Sequence, residues 1–594
     1  MGDNASPILP YSHTPTQCFL PPIRPVAVSP RLRVTVVILS LLVFLASAVS
    51  AQTVVKELAG GVTLRQNISS SPDSPQIVNI LTIDPKAPGI RIRAVLAQDR
   101  VYGTDWAKGR ETVSSIAKRL NATAAMNADY FPMSSNCPGD ALNLHISGGE
   151  LMSEPMPNRV VFGITSDGKM LFDKLELDAR IILPDKWFPI RGINRPRRMH
   201  ELVAYTSKFF TSTCTSSGGS EAVITTQDLP VKVGVPIKGT VSEIRSSCGN
   251  TPIPDGAIVL SGAGTGAKFV DEYLKPGTNV TIEFNLKPSK TTGWEKVVEA
   301  VGGGPWLVKD GKVSIDAAAE GFQPILYLAA HPRTALGVTG GGKLVLVTVD
   351  GRQNISSGMT LIQLAQLMLS QECVEAINLD GGGSTTMAAS FGILNSPCEG
   401  AERPVANALA VFADTPSTPP VEFSIKPPDG PAPSGTAAQL SLVDTSGQPI
   451  TPELAAQAIW AAAGGAGFVD QSGRFYGFKV RKGSVTAKIG SCIVSVPVET
   501  VPGAACKLTA GWETDPSGAP NRSILVVSAA DVNGNAVGDQ RLSVEAIGGT
   551  PDQAELTTAG DGRASTGITW DAAPAVTAQA TVKLGDLPPV ILPR

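Results

Sequence analysis

Residues 414–420, DTPSTPP, place three prolines in seven positions. Proline has no backbone N–H to give and a fixed φ, so such a stretch continues neither a helix nor a central strand. The 594-residue chain is therefore expected to divide there. Before the break, strand-like runs such as IVNILTID (77 to 84), RIRAVLA (91 to 97) and KLVLVTVD (343 to 350) alternate with a few helical stretches. The clearest of these are TVSSIAKRL (112 to 120) and MTLIQLAQLML (359 to 369), whose apolar spacing of three and four fits one buried face. After the break the pattern changes to short alternating strands with turn signals such as Asp561-Gly562. The expectation is an α+β domain with a mixed sheet, followed by all-β units.

The start of the chain carries a different signal. RLRVTVVILSLLVFLASAVSAQ (31 to 52) has two arginines, an apolar run and the small-residue site Val49-Ser50-Ala51. That is the layout of a secretory signal peptide. Residues 1–51 are read as leader and signal, with Gln52 as the mature start. No other segment is long and apolar enough to span a bilayer, so the expected location is secreted, periplasmic or cell surface, with no membrane contact beyond the signal segment.

Composition narrows the function classes. Lys plus Arg total 49 against 52 Asp plus Glu, which leaves no basic surplus for a nucleic-acid backbone. Sixty glycines and 47 prolines, with only 17% charged residues where about 25% is usual, suit turn-rich β structure. Of the eight cysteines, Cys18 lies in the leader. Spacing suggests Cys214 with Cys248 and Cys373 with Cys398, with buried free thiols as the alternative. No CxxC pair points to zinc, and His145, His200 and His331 are scattered, which disfavours a His-rich metal centre.

The densest chemical signal is INLDGGGSTTM (377 to 387), at the end of a buried strand. Three glycines let the backbone approach a ligand and present successive N–H groups to an anion, with Asp380 at the strand's carboxyl end. In ATAAMNADYFPM (122 to 133) a strand leads into Asn127 and Asp129; in HPRTALGV (331 to 338) Arg333 offers a planar fork suited to phosphate, beside Thr334. VDGR (349 to 352) adds Asp350, which alone reads as a turn residue.

In order, NADYF, GGGPWLVKDGK (302 to 312), HPRTALG, VDGR, the helix MTLIQLAQLM, NLDGGGST and RPVANALAVF (403 to 412) resemble the phosphodiester glycosidase family. The resemblance covers the domain from 52 to 413 and is strongest from 302 to 412. It implies an α+β domain with a surface cavity where these segments converge. It also implies catalytic positions at Asp380, Asp129, Arg333 and Asn127, and substrate-binding positions at Thr334, Asp350, Gly381, Gly382, Gly383 and Ser384. Many members have glycine where this chain has Ala128, which narrows backbone freedom beside Asp129. Beyond the 414–420 linker, residues 421–500, with IWAAAGGAGFVDQSGRF (459 to 475), resemble a bacterial immunoglobulin-like repeat. Residues 501–594, with AADVNGNAVGDQRLSV (529 to 544), resemble its invasin-type relative. That resemblance implies spacing of the domain or contact with the cell wall; inert folded appendages are the equal alternative.

The implied activity is hydrolysis of sugar-1-phosphodiesters, such as phosphoglycans, without a cofactor. A single oxygen-ligated Mg2+ or Ca2+ stays compatible, but no obligatory metal is expected. Arg333 and the Gly381–Ser384 backbone would hold the phosphate, with Asp380 or Asp129 at the anomeric carbon. A surface glycan-binding or adhesive protein without turnover is the alternative of another class, and cleavage on the phosphorus side would release sugar-1-phosphate instead.

Overall fold

The computed structural model describes residues 51–71, 73–133, 137–414, 421–571 and 577–594. The leader up to residue 50 and linker residues 415–420 lie outside the described residues. No helix among the described residues is long and apolar enough to cross a membrane.

The first large sheet has eight antiparallel strands, ordered Ala51–Ala59, Val62–Ser69, Gln76–Ile83, Leu344–Val349, Arg333–Thr339, Cys373–Asn378, Trp306–Lys309 and Lys312–Val313. Side chains alternate across a strand, so each one supplies two cores. Leu81 and Leu346 face inward toward a second sheet, while Ile80 and Val347 face outward beneath the helix Leu361–Ser370. That helix buries Leu361, Leu364, Ala365 and Met368. It begins with a capping box, in which Thr360 Oγ1 accepts from Gln363 N at 3.3 Å and Thr360 N donates to Gln363 Oε1 at 2.9 Å.

The second sheet is built the same way. Its strands Arg91–Leu96, Asn407–Phe412, Ala124–Asn127 and Met387–Ala389 turn Ala94, Leu409 and Met126 toward the shared core. Their other face carries Val95, Ala125 and Ala408, covered by the helix Val113–Arg119. Thr112 caps that helix by accepting from Ser115 N at 3.3 Å. The order is helix, sheet, sheet, helix. Between residues 145 and 302 the chain contributes a twelve-stranded sheet with a core of its own, including Ile181, Ile224, Ile258 and Trp294.

The fold is mostly β. Parallel pairing within these sheets is limited to Gly192–Ile193 with Val203–Ala204 and Ala432–Pro433 with Thr500–Val501. The second sheet also differs from the expectation of separable units. After Gly392–Ile393 it continues into Ile459–Ala463, Arg481–Ile489 and Cys492–Val501, all beyond the proline-rich break. Ile459 and Ala461 enter the core between the two large sheets, whereas Trp460 and Ala462 enter the core of the C-terminal unit. Gln471 ties the junction by donating its N–H to Gln66 Oε1 (2.8 Å) and its Nε2 to Trp460 O (2.8 Å). Residues 507–593 instead form two four-stranded sheets around a private core that includes Leu525, Val544, Trp570 and Val582.

Neither suggested cysteine pair is bonded. Cys373 is buried in the core beneath the helix Leu361–Ser370, while Cys398 sits in a loop whose electrostatic neighbours are Arg352, Glu399 and Arg403.

Candidate active site

The strand Cys373–Asn378 of the first sheet and the strand Ala124–Asn127 of the second end at the same edge of the sandwich. Cross-sheet bonds lock the two ends. Asp380 N donates to Ala128 O at 2.9 Å, and Asn127 Nδ2 donates to Asp380 O at 2.6 Å. Asn127 Oδ1 accepts from Thr334 Oγ1 and Thr386 N, both at 3.0 Å, so one buried amide braces three segments. Ala128 is fully buried, its methyl packed in the shared core.

At this edge lies a cavity of about 190 Å³, whose wall includes Tyr130, Phe322, His331, Arg352, Asp380 and Arg403. Among the described residues, Asp380 is the single carboxylate on that wall. Burial pushes its pKa up to about 6, against the opposing pull of Ser384, Arg403 and the Gly381 backbone. Ser384 Oγ lies beside this carboxylate without the geometry of a full hydrogen bond.

The other predicted carboxylates stand back from the cavity. Asp129 is 1% exposed; its oxygens accept from Tyr130 N and Asn143 N, both at 2.8 Å, and burial raises its pKa to about 7. Asp350 is equally buried. It accepts from Asn395 Nδ2 (2.7 Å) and Ser396 N (2.9 Å), and burial likewise raises it to about 7. Both aspartates organise loops. Thr334 is also fully buried, behind Asn127.

Arg333 reaches the cavity wall, but its guanidinium is committed elsewhere. Nε donates to Met359 O, Nη1 to Leu326 O and Nη2 to Ala329 O, each at 2.8 Å, and burial lowers its pKa to about 10. Three of its five donors are therefore taken by backbone carbonyls, and two of these bonds pin the wall segment 326–329.

Two arginines not singled out from sequence lie closer to the glycine turn. Arg352 Nη2 donates to His331 Nδ1 at 3.2 Å; the ring's Nε2–H donates to Ile325 O at 3.0 Å, which sets the tautomer. Arg403 bonds Glu399. A Cβ on Gly382 would lie 3.3 Å from the Arg352 guanidinium, and one on Gly383 would collide with Arg403 and Glu399. The glycines thus leave room for two guanidinium groups against the turn. Both arginines stand inside quoted motifs, VDGR and RPVANALAVF, and that position is the only sequence signal for them.

Tyr130 completes the wall. Its hydroxyl donates to Gly304 O at 2.9 Å and accepts from Asn378 Nδ2 at 2.7 Å, with its ring 5.4 Å from that of Phe322. Among the described residues there is no group of three or more His, Cys, Asp or Glu side chains placed to hold a metal ion.

A family model described as phosphodiester glycosidase matches residues 231–412. The SPbeta prophage-derived protein YomE of Bacillus subtilis is 40% identical over 108 residues, 18% of this chain and 16% of that protein. The N-acetylglucosamine-1-phosphodiester alpha-N-acetylglucosaminidase of Bos taurus is 35% identical over 112 residues, 17% of this chain and 21% of that enzyme. The match thus spans about a fifth or less of either relative. A putative exported protein from Burkholderia pseudomallei shares the fold, with a TM-score of 0.52 and 19% identity over 61% of this chain and 97% of that one.

Proposed function

We propose that this chain, whose residues 231–412 match a phosphodiester glycosidase family model, is an exported glycosidase that hydrolyses sugar-1-phosphodiesters at the bond between the anomeric carbon and oxygen. One observation carries the reading: the single carboxylate of the cavity wall shares the Gly381–Gly383 turn with two guanidinium groups. Breaking that bond develops positive charge on the sugar and releases a phosphomonoester, whose second ionisation near pH 6 makes it a good leaving group. The demand is for a carboxylate at the anomeric carbon and for cations or N–H donors around the phosphate.

Asp380 answers the first demand, as nucleophile or as the base that activates water. Arg352, Arg403 and the backbone of Gly381–Ser384 answer the second. Arg333 is reassigned from phosphate ligand to positioning residue, since its bonds hold the wall segment 326–329. Asn127 and Thr334 hold the two strand ends, while Asp129 and Asp350 shape the flanking loops. Export rests on the signal-like segment at 31 to 52.

The test is incubation of the full exported chain with an N-acetylglucosamine-1-phosphodiester, with products identified by mass spectrometry. Free sugar and a phosphomonoester are expected, and Asp380→Asn should abolish them while leaving the thermal transition in place. Release of sugar-1-phosphate would overturn the bond assignment. Full activity in Asp380→Asn would remove this carboxylate from the reaction.

A further inference from the structure

The loop from 395 to 403 has two faces. Its inner side carries Glu399 and Arg403, which rest on Gly383 where no Cβ intervenes. Its beginning is fastened by Asn395 and Ser396 to Asp350, and just before and beyond its end Glu402 accepts from Ser114 N (2.9 Å) and Val405 N donates to Glu111 O (2.9 Å). Between these anchors, no hydrogen bond among the described residues fastens the crest near Gly400 to the preceding domain. Its outer side rests instead on the first C-terminal unit.

That contact is close. A Cβ on Gly465 would collide with Gly400 O, and one on Gly400 would collide with the Lys479 stem. The seam, lined by Pro397, Gly400, Ala401, Ala462, Gly465 and Phe478, leaves a cavity of only about 20 Å³. The strand that enters this loop, Gly392–Ile393, is itself paired to the C-terminal unit through Ile393 and Ala462. Lys479 is held in turn, since its Nζ donates to Asn533 O at 3.1 Å.

We propose that the first C-terminal unit is a positioning element of the active site: it seats the crest of the 395–403 loop and so holds Arg403 against the Gly381–Gly383 turn. The inference rests on the reading of Arg403 as a phosphate-holding group. Its physical basis is that a guanidinium grips an anion only within hydrogen-bonding distance, and a long side chain on a loop fastened only at its two ends surrenders part of that geometry to conformational entropy.

The experiment uses the full chain and two matched glycine substitutions. Gly465 and Gly447 both have left-handed φ, at 72° and 81°, so alanine strains either turn similarly. Only at Gly465 does the added methyl push on the loop, because Gly447 has nothing within 4 Å. Gly465→Ala is expected to raise KM for a sugar phosphodiester about tenfold, equivalent to misplacing one charge-assisted hydrogen bond, with kcat little changed. It should also accelerate amide exchange across 395–403. Gly447→Ala, which carries the same backbone strain without the collision, should lower the melting temperature less and do neither. Should Gly465→Ala fail to fold, Lys479→Ala removes the support beside Gly400 and is read in the same way.

Amide exchange needs no substrate, which separates the two ideas. A wild-type chain that cleaves no phosphodiester overturns the proposed function. Loop exchange in Gly465→Ala, or in its substitute, that matches Gly447→Ala overturns the positioning role.

Discussion

The two units that follow the proline-rich break share similar length, turn chemistry and strand pattern, yet they relate to the rest of the molecule in opposite ways. In the first, the strand Ile459–Ala463 places Ile459 and Ala461 in the core of the preceding domain and Trp460 and Ala462 in its own. In the second, both sheets close on one private core. A main attachment of the second unit is the turn 531–535. There Asn535 Nδ2 donates to Ser434 Oγ and Phe478 O, both at 2.9 Å, and Asn533 Nδ2 to Ser434 Oγ at 2.9 Å. An alternating strand acquires its role from whatever covers its second face.

Truncation gives the largest contrast. A chain ending at residue 413 exposes the apolar face that Ile459 and Ala461 cover, and we expect it to lose soluble expression and its cooperative melting transition. A chain ending at residue 502 should remain soluble, with KM within about twofold of wild type, as is usual for loss of distant, independent contacts. Equal behaviour of the two truncations, by calorimetry and turnover, would erase the distinction.

Two tryptophans sharpen it. Trp460→Ala and Trp570→Ala should each lower stability by about 3–5 kcal/mol, the usual range for a buried Trp. In scanning calorimetry Trp460→Ala should shift the transition that abolishes turnover, whereas Trp570→Ala should shift only a transition that leaves turnover intact. A smaller effect is expected from Asn535→Ala, which removes hydrogen bonds worth about 1 kcal/mol each at the joint between the two units. Limited proteolysis near residue 502 should quicken while KM stays unchanged.

Acidification gives the smallest structural effect and a directional one. Asp380 has a pKa raised to about 6 by burial, so a reaction that needs its carboxylate rises with pH through about 6 and falls below it. Burial also opposes ionisation of Asp531, but bonds from Asn535 and Gly503 N outweigh it and hold its pKa below the ordinary 3.8. Its contribution is therefore present above pH 3.8 and lost only as pH falls further. Between pH 6 and pH 4, turnover should fall while amide exchange at 531–535 stays slow. Loss of both together would show that the joint and the site titrate as one.

Local signals were readable where the physics is local. The apolar spacing of 112–120 and 359–369 marks two helices that the structure reproduces, with Thr112 and Thr360 as their caps. Asp380 followed by three glycines marks a strand end that meets a cavity. Arg333 shows the limit of such reading. An arginine before a strand looks the same in sequence whether its fork meets a phosphate or three carbonyls. Those carbonyls belong to residues 326, 329 and 359, brought together only by the fold. Asp129 and Asp350 share that ambiguity: carboxylate chemistry is visible in the residue, but saturation by N–H donors from distant segments is not.

What the sequence determined by itself is the alternation of apolar and polar residues, the two helical stretches and the strand ending in Asp380, because each depends on neighbours a few positions away. The tertiary structure decided which of the arginines face the cavity, which aspartate remains accessible and which core receives Ile459. Those outcomes depend on surfaces hundreds of residues apart, where burial and hydrogen-bond partners are assigned only once the sheets have met.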